Sequence, residues 1–140
     1  MFVVDSSVYA SILVKDEYYE RARSFLIGHS KSNLVTVATA YVEVANTLWK
    51  HTYLLKRIPE SSYKELRKTI IPLITASAAK VYDPLELLEY ALNTAAEYQV
   101  TVYDALFVAL VLKLGYRLAS FDEKLKKRLE SRNLGIIYTP

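Results

Sequence analysis

Apolar residues in this chain follow two spacings. Short, largely apolar runs at residues 2–4, 34–37, 80–82, 117–120 and 134–138 predict strands. Between them, apolar positions recur every three or four residues, the interval that puts them on one face of a helix. Ser6 and Ser7 are suited to cap a helix over 6–13, and Asp16 to cap one over 17–27 that Gly28 stops. In the latter, Tyr18, Ala22, Phe25 and Leu26 share a face directed at the core. A helix over 38–55 carries Tyr41, Val44, Ala45, Leu48 and Thr52 on one side and a polar stripe of Glu43, Asn46, Thr47 and Lys50 on another. Pro59 separates it from a helix over 60–75, which Pro72 should kink or end early. Asp83-Pro84 is a helix start, with Asp at the cap and Pro in the first turn, and that helix runs to residue 98. Asp104 opens a helix over 104–114 that is apolar on nearly every side and ends at Gly115, and Asp122 opens a basic helix over 122–130.

Strands alternating with helices predict an α/β layered fold around a parallel sheet of about five strands. No linker, repeat or low-complexity segment interrupts the 140 residues, so a single domain over 1–140 is expected. A hydrophobic fraction of 52% excludes a disordered chain. The longest charge-free apolar run near the middle, 105–112, is too short to span a bilayer and reads as a core helix. Asp5 breaks the opening apolar run, which argues against an export signal and for a cytoplasmic protein. The absence of cysteine removes disulfides, thiolate metal sites and thiol nucleophiles together.

The net charge is only +3, but it is uneven. One basic stretch holds Lys113, Arg117, Lys124, Lys126, Lys127, Arg128 and Arg132, and a second holds Lys50, Lys56, Arg57, Lys64, Arg67 and Lys68. Either alone reads as a solvated helix face. Both together, beside an acidic pocket, suit a protein that holds a polyanion.

That acidic pocket is predicted by four isolated carboxylates. Asp5 follows three apolar residues at the carboxyl end of a strand, the edge at which ligands bind in open α/β sheets. A helix cap is the plainer role, yet Ser6 and Ser7 can fill it without charge. Glu43 lies one and a half turns into its helix, with Asn46 beside it on the polar stripe as a supporting group. Asp104 sits in the first turn of the central apolar helix, where the helix dipole alone favours an acid by about 0.3–1 kcal/mol. Asp122 follows Leu118-Ala119-Ser120-Phe121 and doubles as a cap; Glu123 is its stand-in if it points away. Two carboxylates ~5 Å apart repel by about 3 kcal/mol at an effective dielectric near 20. Several such pairs rival the stability of a whole domain, about 5–15 kcal/mol, so a pocket of this kind must take up protons or a cation. Oxygen-only donors favour Mg²⁺ or Mn²⁺ over Zn²⁺. His29 and His51 lack the spacing of a metal-binding pair.

The segments Val3-Val4-Asp5-Ser6-Ser7, Glu43-Val44-Ala45-Asn46, Tyr103-Asp104-Ala105 and Leu118-Ala119-Ser120-Phe121-Asp122 resemble, in order and separation, the PIN-domain ribonucleases of the VapC toxin type. The resemblance extends over essentially the full length. It implies a PIN-like three-layer fold, a site binding Mg²⁺ or Mn²⁺, cleavage of single-stranded or structured RNA, a homodimer, and a small antitoxin protein whose tail blocks the groove. It assigns Asp5 and Asp104 to the principal metal ligands, Glu43 and Asp122 to the remaining acidic positions, and Ser6 and Ser120 to the hydroxyl neighbours. Ser120 stands where a threonine is common, and the hydroxyl is kept.

Three other readings compete. A PIN module that only binds RNA or a partner would have lost acids that are present here. A phosphoreceiver domain wants an acidic pair after the first strand, where this chain has two serines. A dinucleotide-binding domain wants a glycine cluster, and the chain has only three glycines, scattered.

Overall fold

The computed structural model describes residues 1–140. Its elements run β1 (Phe2–Val4), α1 (Ser6–Val14), α2 (Tyr19–Gly28), β2 (Leu34–Val37), α3 (Thr39–Trp49), α4 (Glu60–Leu66), α5 (Ile70–Ser77), β3 (Lys80–Tyr82), α6 (Pro84–Tyr98), α7 (Val102–Leu114), β4 (Arg117–Ala119), α8 (Glu123–Glu130) and β5 (Ile137–Tyr138). The strands form one sheet in the order β3-β2-β1-β4-β5, parallel at every pairing. This is the α/β architecture that the alternating pattern predicts.

The chain steps from β1 out through β2 to β3, then crosses back to add β4 and β5 on the other side of β1. Right-handed crossovers put helices on opposite faces of the sheet when the direction reverses. The reversal makes the β1–β4 junction the topological switch point, where a crevice opens beyond the carboxyl ends of the strands.

The core is one cluster of 31 buried residues. Its centre is α7, buried at every residue from Ala105 to Val111 and packed against β1, β2 and β4. Thr101 caps α7, its Oγ1 accepting from Asp104 N at 3.2 Å. Gly115, at φ +70°, ends it in the left-handed conformation that costs glycine least. No single helix is long and apolar enough to cross a membrane.

Several boundaries differ from the sequence expectation. The helix expected over 38–55 is α-helical only as far as Trp49, and Lys50–Leu54 form a wider π turn. The helix expected over 60–75 breaks at Arg67–Thr69, one turn before Pro72. A proline ring clashes with the carbonyl four residues back, here Lys68, so the disruption falls upstream of the proline itself. Asp16 sits ahead of α2 rather than at its cap, accepting from Tyr18 N at 2.9 Å and from the Ser11 hydroxyl at 3.1 Å. Asp104 lies inside the first turn of α7, with Thr101 taking the capping role.

Candidate active site

Register places the site's first two members side by side. Val4 pairs with Ala119 in the β1–β4 ladder, so Asp5 and Ser120 leave the sheet together at the switch point. Asp5 N still donates to Ala119 O at 3.0 Å. The Val4 carbonyl is held from the other side by the hydroxyl of Thr36 at 2.7 Å, a fully buried polar group in otherwise apolar β2.

Asp5 is 6% exposed, and its carboxylate is oriented by a directional chain of hydrogen bonds. Ser120 Oγ donates to Asp5 Oδ2 at 2.7 Å and Ser7 Oγ donates to the same oxygen at 2.9 Å. Each hydroxyl in turn accepts a backbone N–H: Asp122 N to Ser120 Oγ and Phe121 N to Ser7 Oγ, both at 3.0 Å. With an acceptor site already filled, each serine proton is aimed at Asp5. Oδ2 is thereby saturated. Oδ1 has only the Ser6 hydroxyl at 3.4 Å, and that hydroxyl sits closer to Glu43 Oε2, at 3.1 Å. Asp5 Oδ1 is the oxygen left for an outside partner.

Glu43 Oε1 is buried with no hydrogen-bond partner. Thr39 Oγ1, one turn earlier, is equally unpartnered; it is near enough to favour the carboxylate but makes no bond of normal geometry. Burial, then the charges of Asp5 and Asp104, push Glu43 up to about 7. Asp104 is pushed up to about 6 by burial, then by Asp5 and Asp122. Burial also raises Asp5, with the Ser120 and Ser7 hydrogen bonds opposing and the Asp122 charge adding to the rise. Asp122 caps α8 through Oδ1, which accepts from Leu125 N at 2.9 Å. Capping and membership in the cluster thus hold together for this residue.

The four acids lie close together, and no Lys or Arg forms an ion pair with any of them. The sole ion pair of the molecule is Lys68–Glu65, on the exposed α4–α5 segment. Two depressions flank the cluster. One, of about 260 Å³, is lined by Gln99, Thr101, Asp104, Asp122, Lys124 and Arg128. The other, of about 410 Å³, is lined by Ser6, Val42, Glu43, Asn46, Thr47 and Tyr103. The largest cavity, about 460 Å³ between the end of α1 and α4, contains none of these acids.

Of the expected residues, Asp5, Ser6, Glu43 and Ser120 are joined directly by hydrogen bonds, Asp122 joins through its backbone, and Asp104 through electrostatics alone. Asn46 stands exposed on the rim of the depression and makes no hydrogen bond to Glu43. Glu123 is exposed in α8 and is not needed as a stand-in. Of the two basic stretches, the one in α8 reaches the acids through Lys124 and Arg128. The other lines a separate cavity with Lys56 and Arg57. His29 bonds the Phe25 carbonyl and His51 lies in the π turn, both away from the acids. Ser7 and Thr36 are working members of the site that sequence reading passed over. Their only signal is a second hydroxyl after Asp5 and a polar residue inside an apolar strand.

The donor set fits a hard divalent cation. It is all carboxylate, and it includes an orphaned buried oxygen and an oriented carboxylate with one free oxygen. No three of the acids stand close enough together to enclose an ion by themselves.

The family model described as the PIN domain matches residues 2–129. Ribonuclease VapC3 of Pyrobaculum aerophilum is 35% identical over 128 residues, covering 90% of this chain and 92% of its own. Among solved structures, FitAcB from Neisseria gonorrhoeae aligns with a TM-score of 0.66 at 15% identity, covering 100% of this chain and 98% of that one. Mycobacterium tuberculosis VapC20, a sarcin-ricin loop cleaving toxin, aligns with a TM-score of 0.65 at 17% identity, covering 91% of this chain and 94% of that one. At such identities these two structures establish shared fold.

Proposed function

This chain belongs to the PIN-domain family, and from that membership we propose that it is a divalent-cation-dependent endoribonuclease, the toxin of a toxin–antitoxin pair, acting as a single domain over 1–140. One observation carries the reading: four carboxylates gather at the switch point of the sheet, three of them, Asp5, Glu43 and Asp104, with their ionisation suppressed, and no Lys or Arg forms an ion pair with any of the four. Such a cluster is stable when ionised only with an added cation.

Asp5 and Asp104 would hold Mg²⁺ or Mn²⁺, with Glu43 and Asp122 completing the acidic ring. When bound, such an ion supplies Lewis acidity to a phosphodiester and its attacking water. Ser7 and Ser120 keep Asp5 Oδ1 turned outward. Glu43 Oε1, which lacks any internal donor, orients the water and can take its proton. Ser6 fixes the other oxygen of Glu43. Lys124 and Arg128, on the wall of the depression next to Asp104 and Asp122, position the RNA backbone.

Homodimerisation and capture by a small antitoxin belong to the same proposal, as does a cytoplasmic site of action among RNA substrates. FitAcB and the VapC relatives support the pairing with an antitoxin. Leu85, Leu88 and Leu92 form an exposed apolar row on α6, which supports association with another chain.

The deciding experiment is RNA cleavage by the purified protein, with and without EDTA. Cleavage restored by Mn²⁺ after chelation supports the proposal, and undiminished cleavage in EDTA refutes it.

A further inference from the structure

The first turn of α7 turns two adjacent residues toward different depressions. Asp104 faces the one with Asp122, Lys124 and Arg128, and Tyr103 faces the one with Ser6, Val42, Glu43 and Asn46. The acid cluster lies between, since Glu43 belongs to one wall and Asp104 to the other. A polymer crossing the acids therefore meets a basic depression on one side and an aromatic one on the other.

Tyr103 is unusual among the aromatics of this chain. It is 68% exposed, and its ring and hydroxyl make no internal bond. Most other rings are buried, hydrogen-bonded or paired: Tyr18 stacks on Phe121, Tyr53 packs edge-on to Tyr63, Tyr41 bonds Thr75, and Phe2 meets Phe25 and Tyr138. Val42, lining the same depression, is 71% exposed. Asn46 lies beside them with an amide that can both donate and accept. A flat ring, an apolar neighbour and an adaptable amide, next to carboxylates, suit a nucleobase rather than a phosphate or a charged peptide.

We infer that Tyr103 stacks an unpaired RNA base beside the scissile phosphate, so that this protein selects RNA unpaired at the cleavage point. The inference rests on the ribonuclease reading of the acid cluster. Lys124 and Arg128 take the backbone on the opposite side and supply affinity without regard to base. A base still stacked in a duplex cannot lie on the Tyr103 ring, so helical RNA loses this contact.

The test uses Asp104→Asn protein, which keeps RNA intact, and fluorescence anisotropy with a labelled single-stranded oligoribonucleotide and with its duplex. Adding Tyr103→Ala should weaken single-strand binding by about 5- to 150-fold. It should leave duplex binding and the salt dependence unchanged, and Tyr103→Phe should bind like the parent. Tyr103 lies outside the core, and an unaltered melting temperature verifies the fold. Unchanged single-strand binding by Tyr103→Ala, or an equal loss on both RNAs, overturns the inference. If Tyr103→Ala binds RNA normally but fails to bind a protein partner, the ring serves that partner and the inference falls. Parallel cleavage assays on the unsubstituted protein separate the two levels. Cleavage with no Tyr103 effect removes this inference alone, and no cleavage at all removes the ribonuclease reading beneath it.

Discussion

Ser120 donates to Asp5 Oδ2 at 2.7 Å across 115 positions of sequence. The contact joins the first and fourth strands of the sheet at their carboxyl ends, and Ser120 is itself aimed by the N–H of Asp122. Removing the hydroxyl takes a donor from a buried carboxylate, a contact worth about 1.5–3 kcal/mol when the acceptor is charged. Ser120→Ala should therefore lower Mn²⁺ affinity about tenfold or more and slow RNA cleavage in proportion, with Ser120→Thr restoring both. Calorimetric titration with Mn²⁺ measures the first, and equal affinity in the alanine variant would contradict the role given to Ser120.

Only the Thr101 hydroxyl lies near enough to favour the charged Asp104 carboxyl, so Asp104→Asn removes a charge at little cost in internal contacts. Cleavage should fall by about a hundredfold or more, a loss typical of deleting one electrostatic group from a reacting centre. The cation-free protein should melt at a higher temperature than the parent. Near-parental activity would refute the ligand assignment.

The raised carboxyls make cation-free stability depend on pH. In the folded chain Glu43 is pushed up to about 7 and Asp104 to about 6, from ordinary values of 4.5 and 3.8. Between those limits the native state holds protons that the unfolded chain releases. The stabilising effect is complete below about pH 4 and is lost as pH rises to about 7. Urea midpoints in EDTA should drop over this window, Glu43→Gln should flatten the drop, and Mg²⁺ should stabilise more at pH 8 than at pH 5. A midpoint that rises from pH 5 to pH 7 would be the wrong sign.

Lys124 and Arg128 should account for salt-sensitive binding. Each phosphate contact on a single strand contributes about 0.7 to the slope of log K against log salt. Lys124→Ala with Arg128→Ala should lower that slope by about 1.4, whatever the RNA sequence. Lys56→Ala with Arg57→Ala, on the separate cavity, should leave it unchanged.

The parts of this molecule that were readable in its sequence are those set by local chemistry. The Asp83-Pro84 start of α6, the Gly115 stop of α7 and the all-apolar face pattern of α7 each depend on residues within a turn or two. Asp5 and Asp122 stand out because an acid just after an apolar strand needs a reason, Asp104 because it opens a helix that is otherwise apolar, and Glu43 through the family resemblance. The contribution of Ser7 was hidden because its second partner, Phe121 N, is 114 positions away. Thr36 was hidden because its acceptor is the main chain of another strand. The π turn at Lys50–Leu54 has no residue signature, and the break at Arg67–Thr69 belongs to Pro72 acting one turn upstream. Asn46 shares a stripe with Glu43, but three residues of helix rotate it out to the rim.

The central position of β1 also bears on synthesis. The strand carrying Asp5 is made before its neighbour on one side, β4, and the serine that orients Asp5 follows it by 115 positions. A nascent or truncated chain ending before Ser120 has the leading aspartate without its clamp, and without Asp122. Activity of the proposed kind therefore waits on the docking of β4 beside β1, so the site and the sheet are completed in one step.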